Sequence, residues 1–289
     1  MKHYRHKQKG MSRRNRILAA LAALFALGLV FSAWKFASAR AKTRQAENAC
    51  RVLRMAAQDL SAEKSAAARA ASAPAPQNGT AEEEPAVPGT VPAEEESAPK
   101  RKNSFDISGL QEDLPELKGW LFSEGTGLDH PVMQGTDNFF YLNHLYDGTP
   151  NYYGSVFIDY RNSGLFTDDN TVIYGHNMDD GAMFSAVDRY RSPDFYEAHP
   201  TMTVYTPEGD YLIELLGGTV ESGDYEFVRF QFRDFEDMDA YVADIRARST
   251  FRGTAELQPG DRLLTLCTCT YVGRNTRYML VGRVAEVYE

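Results

Sequence analysis

An apolar stretch near the C-terminus contains Cys269, and Arg277 follows eight residues later. The segments 262–271 and 277–288 alternate apolar and polar residues on either side of Gly273, which predicts a β-hairpin. A turn centred on Gly273 would place Cys269 opposite Arg277 across the ladder, because the two residues lie equally far from it. A fixed cation beside a thiol stabilises the thiolate and can donate to an oxyanion, so this pair could perform acyl transfer.

The neighbouring cysteines Cys267 and Cys269 also admit other interpretations. A cysteine on a strand is commonly a small, buried apolar residue. A metal site is disfavoured, because two thiolates do not complete a tetrahedral site and the nearby sequence offers no further ligands. A disulfide is disfavoured, because same-face neighbours on a strand lie ~6.5 Å apart with parallel Cβ directions. Two interpretations of these cysteines therefore remain, a catalytic role and ordinary packing in a strand.

A thiol that performs acyl transfer also needs a group that shuttles protons, and histidine is the usual one. Of the six histidines, His3 and His6 belong to a basic N-terminal segment. His176 ends the apolar stretch 171–176, where a strand would present its side chain at the rim of a barrel. The residues alone do not separate it from the remaining candidates, which are His130, His144 and His199.

The elements that must position these residues lie in the C-terminal part of the chain. Residues 1–104 hold 18 Lys and Arg against 9 Asp and Glu, which leaves 13 against 31 in residues 105–289, or formal charges of +9 and −18. Such an acidic domain is not expected to bind nucleic acid, since that requires a basic surface. About 185 residues are ample for a hydrophobic core, so we expect one folded domain over 105–289.

Eight short apolar segments separated by Gly, Pro, Asn and Asp predict strands, and this number indicates a β-barrel or a β-sandwich. They are 119–123, 130–134, 154–160, 171–176, 201–206, 211–220, 262–271 and 277–288. Residues 234–249 instead have helical periodicity, with acids in the first turn and arginines in the last. Phe235, Met238, Val242 and Ile245 share one face, so we expect this helix to pack on the sheet.

The N-terminal part is first basic and then apolar. Residues 1–16 carry seven Lys and Arg, and the next charged residue is Lys35. An apolar helix of about 18 residues just spans a hydrocarbon core. We therefore predict a transmembrane anchor over 17–39, with the basic tail in the cytoplasm and the rest of the chain outside. A cleavable signal peptide is the alternative, because Ala-Ser-Ala at 37–39 resembles a cleavage site, and it would export the domain equally.

Two segments connect the anchor to the domain. Residues 40–71 lack Pro and Gly and are rich in Ala, Arg, Glu and Lys, which predicts a helical stalk. Residues 72–104 are rich in Pro, Ala and Glu, which predicts an extended, solvated tether. Cys50, in the stalk, leaves an odd number of cysteines in an exported chain. We interpret it as a bystander, with intermolecular pairing as the alternative.

Three motifs in order resemble the sortases, whose signature is TLxTC with a histidine before it and an arginine after it. They are VIYGHNM, TLCTC and RYMLVGR, which contain His176, Cys269 and Arg277 respectively. The segment 137–162 and a long helix before the last two strands resemble class B sortases in particular. The resemblance extends from Leu110 to the C-terminus. It implies a mainly β fold, a closed sortase-type eight-stranded β-barrel with N-terminal helices.

The resemblance also implies roles for individual residues. Cys269 would be the nucleophile and His176 the general acid and base. Arg277 would bind the substrate carbonyl and stabilise the tetrahedral intermediate. Arg274 and Arg283 compete for the last role, but the first lies in the predicted turn and the second far along the strand.

A second set of residues is implied to line the groove for a sorting peptide: Asn138, Leu142, Tyr174 and Cys267. Ordinary packing in the barrel wall is the alternative for each. Cys267 departs from the family pattern, since the variable position of TLxTC is more often a small or hydroxyl-bearing residue; we interpret it as a small filler. The interval between Cys269 and Arg277 is also short for some class B members, which affects the shape of that loop.

The implied function is that of a membrane-anchored cysteine transpeptidase of class B sortase type. Such an enzyme cleaves a C-terminal sorting signal similar to NPQTN after Thr, through a thioester, and transfers the protein to an amine. The implied partners are surface proteins that carry the signal and an acceptor amine on a peptidoglycan precursor such as lipid II. A pilin lysine as acceptor would make it a pilin-polymerising sortase. Neither a metal nor an organic cofactor is implied.

Two other functions are open. A papain-like or NlpC/P60-type cysteine peptidase would place its cysteine at a helix start ahead of its histidine, whereas here Cys269 follows His176 and lies on a predicted strand. A tethered module that binds sorting signals without turnover could keep the same barrel, because fold does not fix function. The presence of all three catalytic residue types favours the enzyme.

Overall fold

The computed structural model describes residues 13–71, 105, 107–223 and 228–288. The chain divides into two compact units, Met1–Glu47 and Asn48–Glu289. Most of the predicted cytoplasmic tail and all of the predicted tether fall outside the described residues.

Four helices and eight strands make up the described chain, together with two short 3₁₀ turns. In chain order they are α1 (Arg13–Ala71), β1 (Leu117–Ser123), β2 (Leu128–Met133), β3 (Val156–Ile158), β4 (Asn170–Tyr174), α2 (Ser185–Arg189), α3 (Pro193–Ala198), β5 (Thr201–Tyr205), β6 (Asp210–Ser222), α4 (Phe235–Arg248), β7 (Leu263–Thr270) and β8 (Thr276–Tyr288). Each of the eight predicted strands is present, although the third is only three residues long.

The strands close into a barrel, which decides between the two predicted all-β architectures. Their order around the barrel is β1-β2-β3-β4-β7-β8-β6-β5. Strand β4 pairs in parallel with β7, and β2 in parallel with β3, while the remaining pairs are antiparallel. Closure leaves no free edge. It also brings β4 next to β7, although the two strands are far apart in the sequence.

The C-terminal hairpin has the predicted register. Cys269 pairs with Arg277 and Thr270 with Thr276, so the turn is centred on Gly273. Asn275 in that turn has φ 53°, in the left-handed region that asparagine tolerates better than most residues. Nearly every residue of β7 is buried, as a strand covered on both faces requires.

Helix α4 confirms the predicted amphipathic helix. Asp234 caps its N-terminus by accepting a hydrogen bond from the Asp237 N–H, and the arginines of the last turn suit the helix dipole. Met238, Val242 and Ile245 are buried, and the helix packs against β6. The helix therefore covers the barrel, as its apolar face predicts.

Helix α1 runs without interruption over the segments predicted as anchor and stalk. By length and composition it contains one stretch that could cross a membrane. From Asn48 onward the helix belongs to the same compact unit as the barrel. There Leu53 is buried in one apolar cluster with Trp120, and Arg54 forms an ion pair with Asp129. Much of the segment predicted as a stalk thus packs with the barrel unit.

Candidate active site

A cavity of about 500 Å³ opens where β4, β7 and β8 lie side by side. Every residue for which the sequence predicts a role lines it: Cys269, His176, Arg277, Asn138, Leu142, Tyr174 and Cys267. The structure therefore brings the two predicted sets, catalytic and peptide-binding, into one site. Their roles remain predictions at this point.

Cys269 and Arg277 form one side of the cavity. They are direct partners across the β7–β8 ladder, and both are partly exposed. Residues opposite each other in such a ladder point to the same face, with Cβ atoms ~5 Å apart. The predicted juxtaposition of thiol and guanidinium is confirmed, and the guanidinium can reach charge that develops next to the sulfur.

His176 reaches the same level through the parallel pairing of β4 with β7. Tyr174 pairs with Cys267, and the Gly175 N–H donates to the carbonyl of Cys267 over 3.3 Å. His176 lies two residues beyond Tyr174, just past the end of β4, and Cys269 lies two residues beyond Cys267, so the same offset brings them near one level. Strand β7 thus carries the thiol between the histidine on one side and the arginine on the other.

The hydrogen bond of the imidazole identifies its reactive nitrogen. Nε2 of His176 lies 2.8 Å from the carbonyl oxygen of Leu142. Because a carbonyl oxygen only accepts, Nε2 carries a proton in this contact. Nδ1 is then the nitrogen that can exchange a proton with a thiol or an amine, as general acid and base chemistry requires.

Asn177 fixes the loop after His176 to the strand that carries the thiol. Its Nδ2 donates to the carbonyl oxygen of Cys269 over 2.8 Å, and its own carbonyl oxygen accepts from the Tyr271 hydroxyl over 3.0 Å. Sequence reasoning missed this residue, although it stands directly after the histidine in the VIYGHNM motif. The two bonds hold the ends of β4 and β7 together.

The other described histidines lie elsewhere. Both ring nitrogens of His130 are buried. Burial lowers the pKa of His130 to about 4, although the backbone of Met183 acts in the opposite direction. The ring of His144 stacks on Phe140 with centroids 4.1 Å apart, and the ring of His199 lies 4.8 Å from that of Phe195. Among the described histidines, only His176 lines the cavity.

The competing arginines are likewise separated from Arg277. Arg283 forms ion pairs with Glu214 at 2.8 Å and with Asp261 at 3.0 Å. Arg274 lies exposed in the β7–β8 turn. Neither lines the cavity, so Arg277 is the arginine that the structure places beside the thiol.

All three cysteines are free thiols. Cys267 is 2% exposed, and burial raises its pKa to about 12, although Arg277 opposes the shift. Burial also raises the pKa of Cys50 to about 11. Both thiols are therefore protonated at neutral pH, and Cys267 fits the interpretation as a small filler.

The cavity lining also contains residues that sequence reasoning missed. They are Phe139, Phe157, Tyr160 and Arg161. The aromatic residues of the 137–162 segment were a signal for this lining, but alternation alone does not tell a groove from a packed core. Among the described residues, no three His, Cys, Asp or Glu side chains lie close enough to hold a metal ion.

Comparison with known proteins supplies relatives along most of the barrel unit. No protein-family model matches the sequence. Sortase B of Listeria monocytogenes is 34% identical over 164 residues, which are 57% of this chain and 67% of that protein. Sortase B of Staphylococcus aureus is 28% identical over 183 residues, which are 63% of this chain and 75% of that protein.

Solved structures have the same fold. Sortase B of Clostridium perfringens matches with a TM-score of 0.58 and 31% identity, over 62% of this chain and 98% of that one. A complex of Staphylococcus aureus sortase B with a substrate matches with a TM-score of 0.58 and 26% identity, over 62% of this chain and 84% of that one. The closed eight-stranded barrel expected from the sequence is thus the fold of these proteins.

Proposed function

This chain belongs to the class B sortase family, and from that premise we propose that it cleaves a C-terminal sorting signal after a threonine and transfers the acyl group to an amine. Membership of the family makes it a cysteine transpeptidase. A relative that has been solved with a substrate supports a sorting peptide as the ligand of the cavity. We take an NPQTN-like pentapeptide as its recognition sequence.

The proposed reaction uses the three side chains in turn. The Cys269 thiolate attacks the threonine carbonyl carbon, and Arg277 stabilises the negative charge on the oxygen. The C–N bond then breaks, the leaving amine takes a proton from Nδ1 of His176, and a thioester remains. An incoming amine attacks the thioester and gives up a proton to His176. Release of Cys269 leaves one new amide bond in place of the one that was cleaved.

The observation that carries this proposal is the order of side chains across three neighbouring strands. Cys269 of β7 pairs with Arg277 of β8, and His176 lies two residues beyond Tyr174 of β4, whose partner Cys267 lies two residues before Cys269. The nucleophile therefore has a proton shuttle on one side and an oxyanion-binding cation on the other. A peptidase of papain type would need its cysteine at the start of a helix, whereas Cys269 lies within a strand.

We further propose that the acceptor is an amine of a cell-wall precursor such as lipid II, and that the barrel works outside the membrane. The apolar stretch of α1 and the basic residues before it support an anchor with a cytoplasmic N-terminus. A pilin lysine carries the same reacting group. Acceptor competition therefore belongs in the test.

The test uses the purified full-length chain in detergent, with an NPQTN peptide, followed by mass spectrometry. We expect the wild type to form a thioester adduct that triglycine or a lysine peptide resolves into a new amide. The Cys269→Ala chain should form no adduct. The matched Cys267→Ala chain should still form one, because that thiol is buried and protonated.

Three outcomes would contradict the proposal in different ways. Cleavage without transfer to any amine would identify a peptidase. Binding of the peptide without an adduct, to the wild type and to Cys269→Ala alike, would identify a binding module. An adduct on Cys267 that persists in Cys269→Ala would mean that the nucleophile has been assigned to the wrong thiol.

A further inference from the structure

A buried carboxylate contacts several of the residues that line the cavity. Asp159 is fully buried, and it accepts hydrogen bonds from three residues that line the cavity. Oδ2 accepts from Nδ2 of Asn138 at 2.9 Å, from the Tyr174 hydroxyl at 3.0 Å and from Nη2 of Arg161 at 2.7 Å. Oδ1 accepts from the backbone N–H and Nε of Arg161, at 3.0 and 2.8 Å.

These bonds turn two of the residues predicted to bind peptide toward Asp159. Asn138 uses Nδ2 on the carboxylate, and its Oδ1 accepts from the Tyr160 N–H at 3.1 Å. The Tyr174 hydroxyl also points at Asp159, which leaves its ring as the surface that faces the cavity. Both residues are thereby held in place by the protein itself.

Arg161 differs from them, because part of its guanidinium is not engaged. Nε and Nη2 form a two-pronged contact with Asp159, whereas Nη1 donates no hydrogen bond to any described residue. The side chain is 47% exposed, and its guanidinium lies 4.1 Å from the centre of the Phe230 ring. A carboxylate and an aromatic face thus orient the group, and the N–H donors of Nη1 are left for a ligand in the cavity that Arg161 lines.

The charge of this pair is stable. Burial alone would raise the pKa of Asp159, but the hydrogen bonds from Arg161, Asn138 and Tyr174 outweigh it and hold the pKa below its ordinary value. The same contact raises the pKa of Arg161. The guanidinium is consequently a permanent donor, and it cannot move far without leaving a buried charge unpaired.

The sheet register gives the backbone separation between Cys269 and Asp159, the residue that holds the Arg161 guanidinium. Asp159 lies opposite Val172 of β4, whose partner on β7 is Thr265. Cys269 is four residues further along β7 than Thr265. Asp159 and Cys269 are therefore separated by two strand spacings across the sheet and by four residues along the strands. That is roughly 16 Å, which an extended peptide covers in about four to five residues.

We propose that Arg161 is a specificity-determining residue, which binds a carboxamide or carboxylate oxygen on the sorting peptide about four to five residues before the scissile bond. Asp159 and Phe230 are its positioning residues. This inference rests on the proposed function, because it takes the peptide to lie extended in the cavity with its threonine at Cys269. It predicts a contact that tightens binding and leaves the chemical step alone.

The test compares peptides in which each of the five residues up to the scissile bond is Asn, Asp or the isosteric Leu. For the wild type, we expect Leu at one of the outermost positions to lower kcat/KM for thioester formation by about 10-fold or more, mainly through KM. Arg161→Lys keeps a cation, but its single nitrogen cannot bind Asp159 and the peptide with the geometry of the guanidinium. It should shrink the ratio of kcat/KM between the Asn and Leu peptides to about 2-fold or less. Phe230→Leu, which removes only the stacking face, should shrink it partly.

Arg229→Lys is the matched control. Arg229 also pairs with an aspartate, Asp237 at 2.6 Å, and lies 4.6 Å from the centre of the Phe232 ring, but it does not line the cavity. It should keep the wild-type ratio. The inference would be overturned if the wild type and Arg161→Lys had the same Asn-to-Leu ratio of kcat/KM. It would also be overturned if Arg161→Lys lowered kcat/KM equally for every peptide. The proposed function would stand in both cases.

Peptide binding to the Cys269→Ala chain gives a second readout that does not need turnover. The Kd for the Asn peptide should be about 10-fold lower than for the Leu peptide, and the added substitution Arg161→Lys should abolish this difference. If the wild type forms no thioester with any peptide, the proposed function fails. If the chain nevertheless binds the Asn peptide more tightly, and this preference depends on Arg161, the proposed binding site still stands. If it shows no such preference, the proposed binding site fails as well.

Discussion

Nδ2 of Asn177 donates a hydrogen bond to the backbone carbonyl oxygen of Cys269, at 2.8 Å. The bond joins the residue after the proposed acid and base directly to the residue proposed as nucleophile. Replacing Asn177 with Leu, which has a similar shape but no donor, leaves the position of His176 relative to Cys269 less fixed. We expect kcat to fall by about 5-fold, since one such bond contributes on the order of 1 kcal/mol, with KM within about 2-fold. Steady-state transfer kinetics would measure both.

Tyr271→Phe provides a graded comparison for this prediction. It removes the hydroxyl that donates to the Asn177 carbonyl oxygen and keeps the ring. We expect Tyr271→Phe to lower kcat less than Asn177→Leu does. If the double variant loses little more than Asn177→Leu alone, the two hydrogen bonds act together to position the loop. A wild-type kcat in Asn177→Leu would show that these bonds do not position the pair.

The hairpin that carries Cys269 and Arg277 could be predicted, because its register follows from local symmetry about one turn. The position of His176 relative to Cys269 could not be predicted from the sequence. It depends on the parallel pairing of β4 with β7, and no local pattern records the register of strands that are far apart in the sequence. For the same reason the residues alone left four histidines open, and the family motif was needed to select one.

The burial of Cys267 predicts selective alkylation. At pH 7.5 iodoacetamide should modify Cys269, which is partly exposed, and should leave Cys267 unmodified. Burial raises the pKa of Cys267 to about 12, so almost no thiolate is present there. Peptide mass mapping before and after unfolding in guanidinium chloride would measure the pattern. Modification of Cys267 in the folded chain at a rate similar to that of Cys269 would contradict it.

The packing of α1 against the barrel predicts that its C-terminal half contributes to stability. Leu53 is 5% exposed within the core, whereas its neighbour Val52 is 60% exposed. Leu53→Ala should cost about 2–4 kcal/mol and lower the Tm by roughly 4 to 12 °C. Val52→Ala, the matched control, should change the Tm by less than about 2 °C. Circular dichroism melts of the full chain would measure both, and equal shifts would show that this part of the helix is not part of the core.

Composition predicted a helix at this place but not its packing. Residues 40–71 have the composition of an exposed stalk, and the few large apolar residues among them form no sustained pattern. Their partners, Phe105 and Trp120, lie beyond a long Pro-rich segment, so the contact is invisible locally. Asp159 was missed for a related reason, because a single aspartate in an aromatic segment does not reveal three donors from other parts of the chain.

The buried imidazole of His130 predicts how stability depends on pH. Its pKa is lowered from 6.5 to about 4, chiefly by burial, so the unfolded chain binds a proton that the folded chain does not bind between these values. Stability is then full above about pH 6.5 and falls as the pH drops toward 4, by roughly 2 to 3 kcal/mol at pH 4.5. His130→Leu removes this titration. Urea unfolding at pH 7.5 and 4.5 should show a decrease smaller by about that amount than in the wild type. The matched replacement His144→Leu, at a partly exposed ring, should keep the wild-type decrease, and identical decreases in all three chains would mean that His130 does not control acid sensitivity.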